Sequence, residues 1–160
     1  MENKRKGISL IVLVVTIAIT ILLASVIVIQ AGDIVDKTKK SSFAKEIYTI
    51  QNLVKQYNFR NGKYPVTEEI NLSINDIDPN FADQFSAEPG YSSGNINLKY
   101  IDLYEADVET TTRGTKEDSD ETDVYVVSEN TGIVYYLKGE LIHGYVYYTL
   151  NQELRSLIGK

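Results

Sequence analysis

The sequence predicts an α+β protein: a long N-terminal helix, membrane-spanning in its first half and amphipathic in its second, packed on a small antiparallel sheet of about four to five strands and followed by a short C-terminal helix. Three observations predict it. No charge occurs from Gly7 to Gly32, a run of 26 residues. Phe43, Ile47, Ile50, Val54 and Tyr57 then recur at spacings of 4, 3, 4 and 3. From Asp123 onward, β-branched and aromatic runs alternate with glycine turns.

Composition narrows the function classes first. The chain has 160 residues, enough for one domain or one small domain with an appendage. Sixteen basic against 22 acidic residues give a net charge of −6, which disfavours a nucleic-acid partner needing a basic face. Without cysteine there is no disulfide framework, thiol nucleophile or thiolate metal site. A single histidine cannot build a multi-histidine metal centre. No phosphate loop, dinucleotide fingerprint, nucleophile elbow or HExxH occurs, so the sequence predicts a protein that is not an enzyme and carries no cofactor. The mean hydropathy of −0.17 conceals how strongly the apolar residues are segregated.

Ile8 to Ile29 holds 18 apolar residues among 22, the exceptions being Ser9, Thr16, Thr20 and Ser25. As a helix it would be about 33 Å long, against a hydrocarbon core of about 30 Å. Its hydroxyls can bond back to the preceding turn, and lipid forces the helix by leaving backbone groups no other partner. Lys4, Arg5 and Lys6 precede the span and predict a cytoplasmic N-terminus with the remainder outside. Three readings are open at this point: a cleaved secretory signal, a plain signal anchor, and a precursor processed at the Gly7–Ile8 junction. A secretory signal has a shorter apolar region and a small-residue cleavage site, which Ala31-Gly32 matches poorly.

After the polar stretch Asp36–Ser42, the stripe from Phe43 to Tyr57 forms one narrow helix face, with Lys45, Glu46, Gln51, Asn52, Lys55 and Gln56 on the others. It covers about two heptads, too few for a coiled coil, and predicts a helix docked on a globular domain. Asn61-Gly62 is a C-cap and Pro65 stops continuation.

Residues 66–97 are expected to be a variable loop, with a short extended piece at Ile70, Leu72 and Ile74, turns at Asp78-Pro79 and Pro89-Gly90, and one helical turn near Phe81–Phe85. Leu98–Tyr104 alternates as a strand, and Thr110–Asp123 is expected to be an exposed polar loop. Asp123–Glu129 and Ile133–Lys138 form a hairpin about Asn130-Thr131-Gly132. Glu140–Ile142 and Tyr145–Thr149 form a second about His143-Gly144, which makes His143 a turn residue. Leu150, Leu154, Leu157 and Ile158 have helical spacing. Adjacent tyrosines at 135/136 and 147/148 must point to opposite faces, so one face of each pair is open to exposure; core and cross-strand packing is the expected role, and an exposed tyrosine stripe that binds a sugar, a surface or a neighbouring subunit is the alternative. Asp118, Asp120 and Asp123 are weak calcium candidates, because a hard cation takes six to eight oxygens; the alternative is a solvated acidic loop, and the glycine and terminal glutamate of an EF-hand are missing.

The junction Lys4-Arg5-Lys6-Gly7-Ile8-Ser9-Leu10-Ile11 resembles the leader of type IV prepilins and type II secretion pseudopilins, in which a short basic leader ending in glycine is followed directly by an apolar helix. Gly62, Lys63, Tyr64 and Pro65 match the Gly-x-Tyr-Pro turn that commonly ends the long helix of pseudopilins. Thr131-Gly132 through Tyr147-Tyr148 resembles the C-terminal hairpins of cysteine-free pilin-like proteins from Gram-positive bacteria. The resemblance implies a basic leader over 1–7, a transmembrane and filament-core helix over 8–31, an amphipathic helix over 32–62 and a globular sheet domain over 63–160. It implies cleavage after Gly7 by a prepilin peptidase, N-methylation of Ile8, storage in the bacterial membrane with the C-terminus outside, and self-assembly on a platform protein into a pilus-like, secretion or competence filament. The family usually has glutamate at mature position five; here that position is Val12, and no acid occurs between the leader and Asp33. The alternative function is a non-assembling, single-pass anchor that presents an extracellular binding domain. Removing residues 1–7 leaves 13 basic and 21 acidic residues, a net charge of −8 suited to an exterior domain.

Overall fold

The computed structural model has an α+β architecture with a long helix, a four-stranded antiparallel sheet and a separate two-stranded one. It describes residues 10–69, 78–86, 98–109, 111–115 and 121–158, and their side chains apart from 23–31, 68, 69 and 86. The chain divides into two compact units, Met1–Thr38 and Lys39–Lys160. The division falls within the helix.

Helix α1 runs from Leu10 to Asn61 without interruption at Gly32, around which a Cβ would meet nothing within 4 Å. In the first unit, Thr16, Thr20 and Thr38 donate back to the carbonyls of Leu13, Thr16 and Ile34, which spends their hydroxyls inside the helix. The helix ends at Gly62, whose φ of 71° lets its amide reach the Asn58 carbonyl at 2.8 Å. Asn61 Nδ2 donates to the Tyr57 carbonyl at 3.0 Å, satisfying a second group of the last turn.

In the second unit, β1 (Val66–Glu69), β2 (Leu98–Ile101), β3 (Tyr125–Ser128) and β4 (Val134–Tyr136) lie in sequence order, each antiparallel to the next. Strands β5 (Glu140–Ile142) and β6 (Tyr145–Tyr147) form the second sheet. The chain leaving β6 covers the outer edge of β4: Tyr136 N donates to the Tyr148 carbonyl at 2.8 Å, and Thr149 Oγ1 to the Val134 carbonyl at 2.6 Å. Helix α2 spans Pro79–Ser86, and α3 is a single turn over Gln152–Arg155. Asp78 caps α2 by accepting from the Asn80 amide at 2.8 Å, with Pro79 as the first helical residue, so the expected Asp-Pro turn is a helix start. Asn151 caps α3 through Leu154 N at 2.8 Å.

Several expectations need correction. Strand β1 lies where a loop was expected, because its polar sequence gives no alternation and its pairing with β2, interrupted by a register shift, defines it. The expected extended piece at Ile70, Leu72 and Ile74 lies outside the described residues. The strand from Leu98 stops at Ile101, where the chain turns through Asp102–Asp107. Tyr135, Tyr136, Tyr147 and Tyr148 are all buried, as the core-packing expectation has it, and the alternative of an exposed stripe does not hold for them. The reason is a second layer: Phe81 and Phe85 of α2 cover the sheet face opposite α1.

Two cores result, one on each face. Tyr125, Val127, Val134, Tyr136 and Tyr147 point into the α1 core, whereas Val124, Val126, Tyr135, Leu137 and Tyr148 point into the α2 core. Phe81 meets Tyr135 and Tyr148 edge-on, with ring centroids 5.5 and 5.2 Å apart.

Two glycines separate the effects of backbone and packing. Both Gly139 and Gly144 have positive φ, 70° and 77°. A Cβ at Gly139 would lie 2.4 Å from Val146 Cγ1 and 2.6 Å from Tyr148 Cε1, whereas at Gly144 it would meet nothing within 4 Å. Gly144→Ala is therefore expected to cost about 1 kcal/mol through backbone strain alone, and Gly139→Ala roughly 1–3 kcal/mol more through overpacking. Urea midpoints of the two variants check this; equal midpoints would contradict the packing around Gly139.

Candidate functional site

The first unit presents apolar surface. Every residue from Leu10 to Leu22 is exposed, as are Ile34 and Val35. Val12, at the position where the resembling family carries an acid, is 53% exposed. The expected processing residues Lys4, Arg5, Lys6, Gly7 and Ile8 lie outside the described residues. Among the described residues, no helix is long and apolar enough to cross a membrane. The side chains of 23–31, which the sequence reading placed inside the span, are not among those described.

In the second unit, Lys39–Lys160, called the head below, Phe43, Ile47, Ile50 and Val54 are each at most 1% exposed and face the α1 core. Tyr57, the last residue of the stripe, is half-buried and donates its hydroxyl to Glu105. The face is wider than the apolar spacing implied, because Ala44 and Gln51 are buried too. Gln51 Oε1 accepts from Val134 N at 3.4 Å, which ties α1 to β4. In the turn after α1, Pro65 is buried and its carbonyl accepts from Asp102 N at 2.9 Å. Tyr64 is half-buried and packs under Gly132, whose missing Cβ would stand 2.8 Å from the Tyr64 hydroxyl. Gly62, Tyr64 and Pro65 thus join the helix end to β2 and to the β3–β4 turn.

The loop expected to be exposed instead supplies two largely buried charged residues, Arg113 and Asp123. Arg113 is 13% exposed and lies between Glu46 and Glu140, with Nη1 2.6 Å from Glu46 Oε2 and Nε 2.8 Å from Glu140 Oε2. Glu46 also accepts from the Thr112 amide at 2.9 Å and the Thr112 hydroxyl at 2.6 Å. The guanidinium stacks 5.5 Å from the Phe43 ring centroid. Sequence reasoning missed Arg113, since a lone arginine in a polar loop carries no local signal; Glu46 occupies the margin of the apolar stripe, the one hint available.

Asp123 was expected in that exposed loop and as a weak calcium candidate. It is 7% exposed, and its Oδ1 accepts from Gly114 N at 2.8 Å and from the Tyr136 hydroxyl at 2.7 Å. Burial and this bond hold the Tyr136 phenol far above its usual range. The other two candidates, Asp118 and Asp120, lie outside the described residues, and no group of three metal-ligating side chains occurs among the described ones. His143 takes the left-handed conformation, φ 55°, beside Gly144 in the β5–β6 turn. At the other end of the helix face, Lys40 bonds Glu153 and lies 5.0 Å from the Tyr147 ring centroid. The Tyr147 hydroxyl donates to Glu153 at 3.0 Å, so α3 is held to α1 through these three side chains.

No family model, curated protein or solved structure matches the chain.

Burial by itself raises the Glu46 carboxyl, but the Thr112 bonds and the Arg113 charge favour the ionised form, and the balance lies below the usual carboxylate range. Its contribution to stability is complete above the ordinary value of about 4.3 and is lost as pH falls through the lower folded value. The melting temperature of the wild type is expected to drop more steeply below about pH 4.3 than that of Glu46→Gln; parallel profiles would remove Glu46 from the acid response. Arg113→Met leaves two carboxylates without their cation and is expected to cost about 3 kcal/mol at pH 7. Adding Glu46→Gln to that variant should return part of the loss, measured as a double-mutant cycle in urea.

Proposed function

We propose that this chain is a type IV pilin-like or pseudopilin subunit. It is made as a membrane precursor, cytoplasmic at its N-terminus with the head outside, and cut between Gly7 and Ile8. It is held in the bilayer and then moved into a filament on the cell surface. One observation carries the reading: a basic segment ending in Gly7 opens directly onto 25 uncharged residues, within which begins the same helix, Leu10–Asn61, that supplies the head with Phe43, Ile47, Ile50 and Val54.

The mechanism is physical. A helix whose backbone is satisfied internally and whose surface is apolar can exchange lipid for the sides of like helices, trading one apolar environment for another. Exposure of every residue from Leu10 to Leu22 supports this, because so long an apolar surface needs a cover. Extraction from the bilayer would be powered by assembly machinery, and the chain's own part is to present the helix and carry the head. The partners this implies are lipid, a prepilin peptidase, a platform protein and further copies of the chain.

Val12 favours a second reading, a single-pass anchor that never assembles. In the resembling family an acid at this position pairs with a neighbour's amino terminus, and a valine leaves that charge without its usual partner.

Mass spectrometry of the protein extracted from membranes separates the two. The expected mature N-terminus is Ile8, methylated or free; intact residues 1–7 in all copies would overturn the proposal. Gly7→Val is expected to block maturation by placing a β-branched side chain at the cut, while the head melts at an unchanged temperature. Normal processing of that variant would count against the leader.

A further inference from the structure

The head is electrically divided. Residues 39–63 carry six cations and one acid, and residues 64–160 carry six cations and 18 acids. The one acid of the first group, Glu46, is engaged by Arg113. The outward side of α1 in the head is therefore purely cationic. Lys45, Tyr48, Asn52, Lys55 and Phe59 are spaced 3, 4, 3 and 4, opposite the buried stripe. Tyr48 is 44% and Phe59 92% exposed. An open groove runs among Asn52, Lys55, Gln56, Phe59 and Arg60. Exposed aromatic rings beside cations are the composition that protein interfaces favour.

A complementary surface exists on the same unit. The turn from Asp102 to Glu109 holds four acids and no cation. Its shape is fixed from within. Ala106 is buried, Leu103 and Val108 pack on the α1 core, and Ala106 N, Asp107 N and Val108 N bond to the carbonyls of Asp102, Tyr104 and Leu103 at 2.9, 3.1 and 2.9 Å. Asp107 sits at φ 61°. The residues left outside are Tyr104, 94% exposed, with Asp107 and Glu109. A turn held this firmly loses little freedom on docking.

We infer that the turn Asp102–Glu109 of one copy docks on the outward face of α1 in a second copy. Tyr104 enters the groove beside Phe59, and Asp107 and Glu109 face Lys55 and Arg60. One copy cannot make this contact with itself: Glu105 bonds Tyr57, on the buried side of α1, and so holds the turn away from the outward face. The two surfaces are different, so the contact is heterologous. Each copy offers one of each, and the contact propagates in one direction instead of closing a pair. This names a contact between heads within the proposed filament and rests on that reading. Charge supplies register and direction, and the aromatic pair supplies apolar burial.

The chain has no cysteine, so introduced thiols report without background. The full chain carrying Phe59→Cys and Tyr104→Cys together, oxidised in its membranes, is expected to give a ladder of covalent multimers, and neither single variant should. Lys55→Glu with Arg60→Glu should reduce the ladder about tenfold, and adding Asp107→Lys with Glu109→Lys should restore it to within about twofold. High salt should weaken the ladder formed by the unreversed chain. Dimers from Phe59→Cys alone, crosslinks of that thiol only to another protein, or no ladder would each overturn the inference. Crosslinks between Val12→Cys copies that begin at Ile8, without a 59–104 ladder, would overturn this contact and leave the filament standing. A 59–104 ladder in copies that all retain residues 1–7 would support the contact and overturn the maturation step.

Discussion

The seam between α1 and the sheet is the contact on which the head depends. Phe43, Ala44, Ile47, Ile50 and Val54 are withdrawn from water along one helix face, against Tyr125, Val127, Val134 and Tyr136. Fully burying each of the larger side chains contributes about 1.5–3 kcal/mol relative to exposure. Everything attached to the helix end follows from this seam: the Gly62 cap stops α1 where Tyr64 can pass under Gly132, and Pro65 meets Asp102. The seam is also specified, not merely greasy. Gln51 reaches the backbone of β4, and Glu46 reaches Arg113, so a slip of the helix by one turn would leave buried polar groups without partners.

The second face of the sheet changes what the strands mean. A sheet covered on one side needs apolar residues only at alternate positions, but β3 and β4 are buried throughout. With α1 on one face and α2 on the other, Tyr135 and Tyr136 can be neighbours in sequence and both leave water. A head of this size gains two small cores joined by one sheet, and α2, only eight residues long, is fixed by Phe81 and Phe85, which stack on each other and meet Tyr135 edge-on.

The charges obey a similar division of labour. Those that carry structure are inside or half-inside: Arg113 with Glu46 and Glu140, and Asp123 with Gly114 and Tyr136. Those left outside are sorted by sign, cations along α1 and acids on the turns and loops beyond it. Beyond local ties such as Lys40 to Glu153, exposed charges sorted this way contribute little to holding one head together. This sorting is the charge pattern that the proposed contact between copies would use.

What the sequence alone determined is what repeats at short range. The spacing of Phe43, Ile47, Ile50 and Val54 marks one face of a helix because 3.6 residues make a turn. The runs around Asn130-Thr131-Gly132 and His143-Gly144 mark hairpins because only a few residues tolerate positive φ. Alternation also told which tyrosines oppose each other. Only the tertiary structure decided the rest. Strand β1 exists because β2 offers it hydrogen bonds, not because Val66-Thr67 signals a strand. Tyr135 and Tyr148 are buried because a distant helix covers them. Arg113 and Asp123 look like members of a solvated loop until the fold brings Glu46 and Tyr136 to them from 67 and 13 residues away. Periodicity is written into neighbouring residues, whereas burial of a polar group depends on partners that are far off in the chain and close only in space.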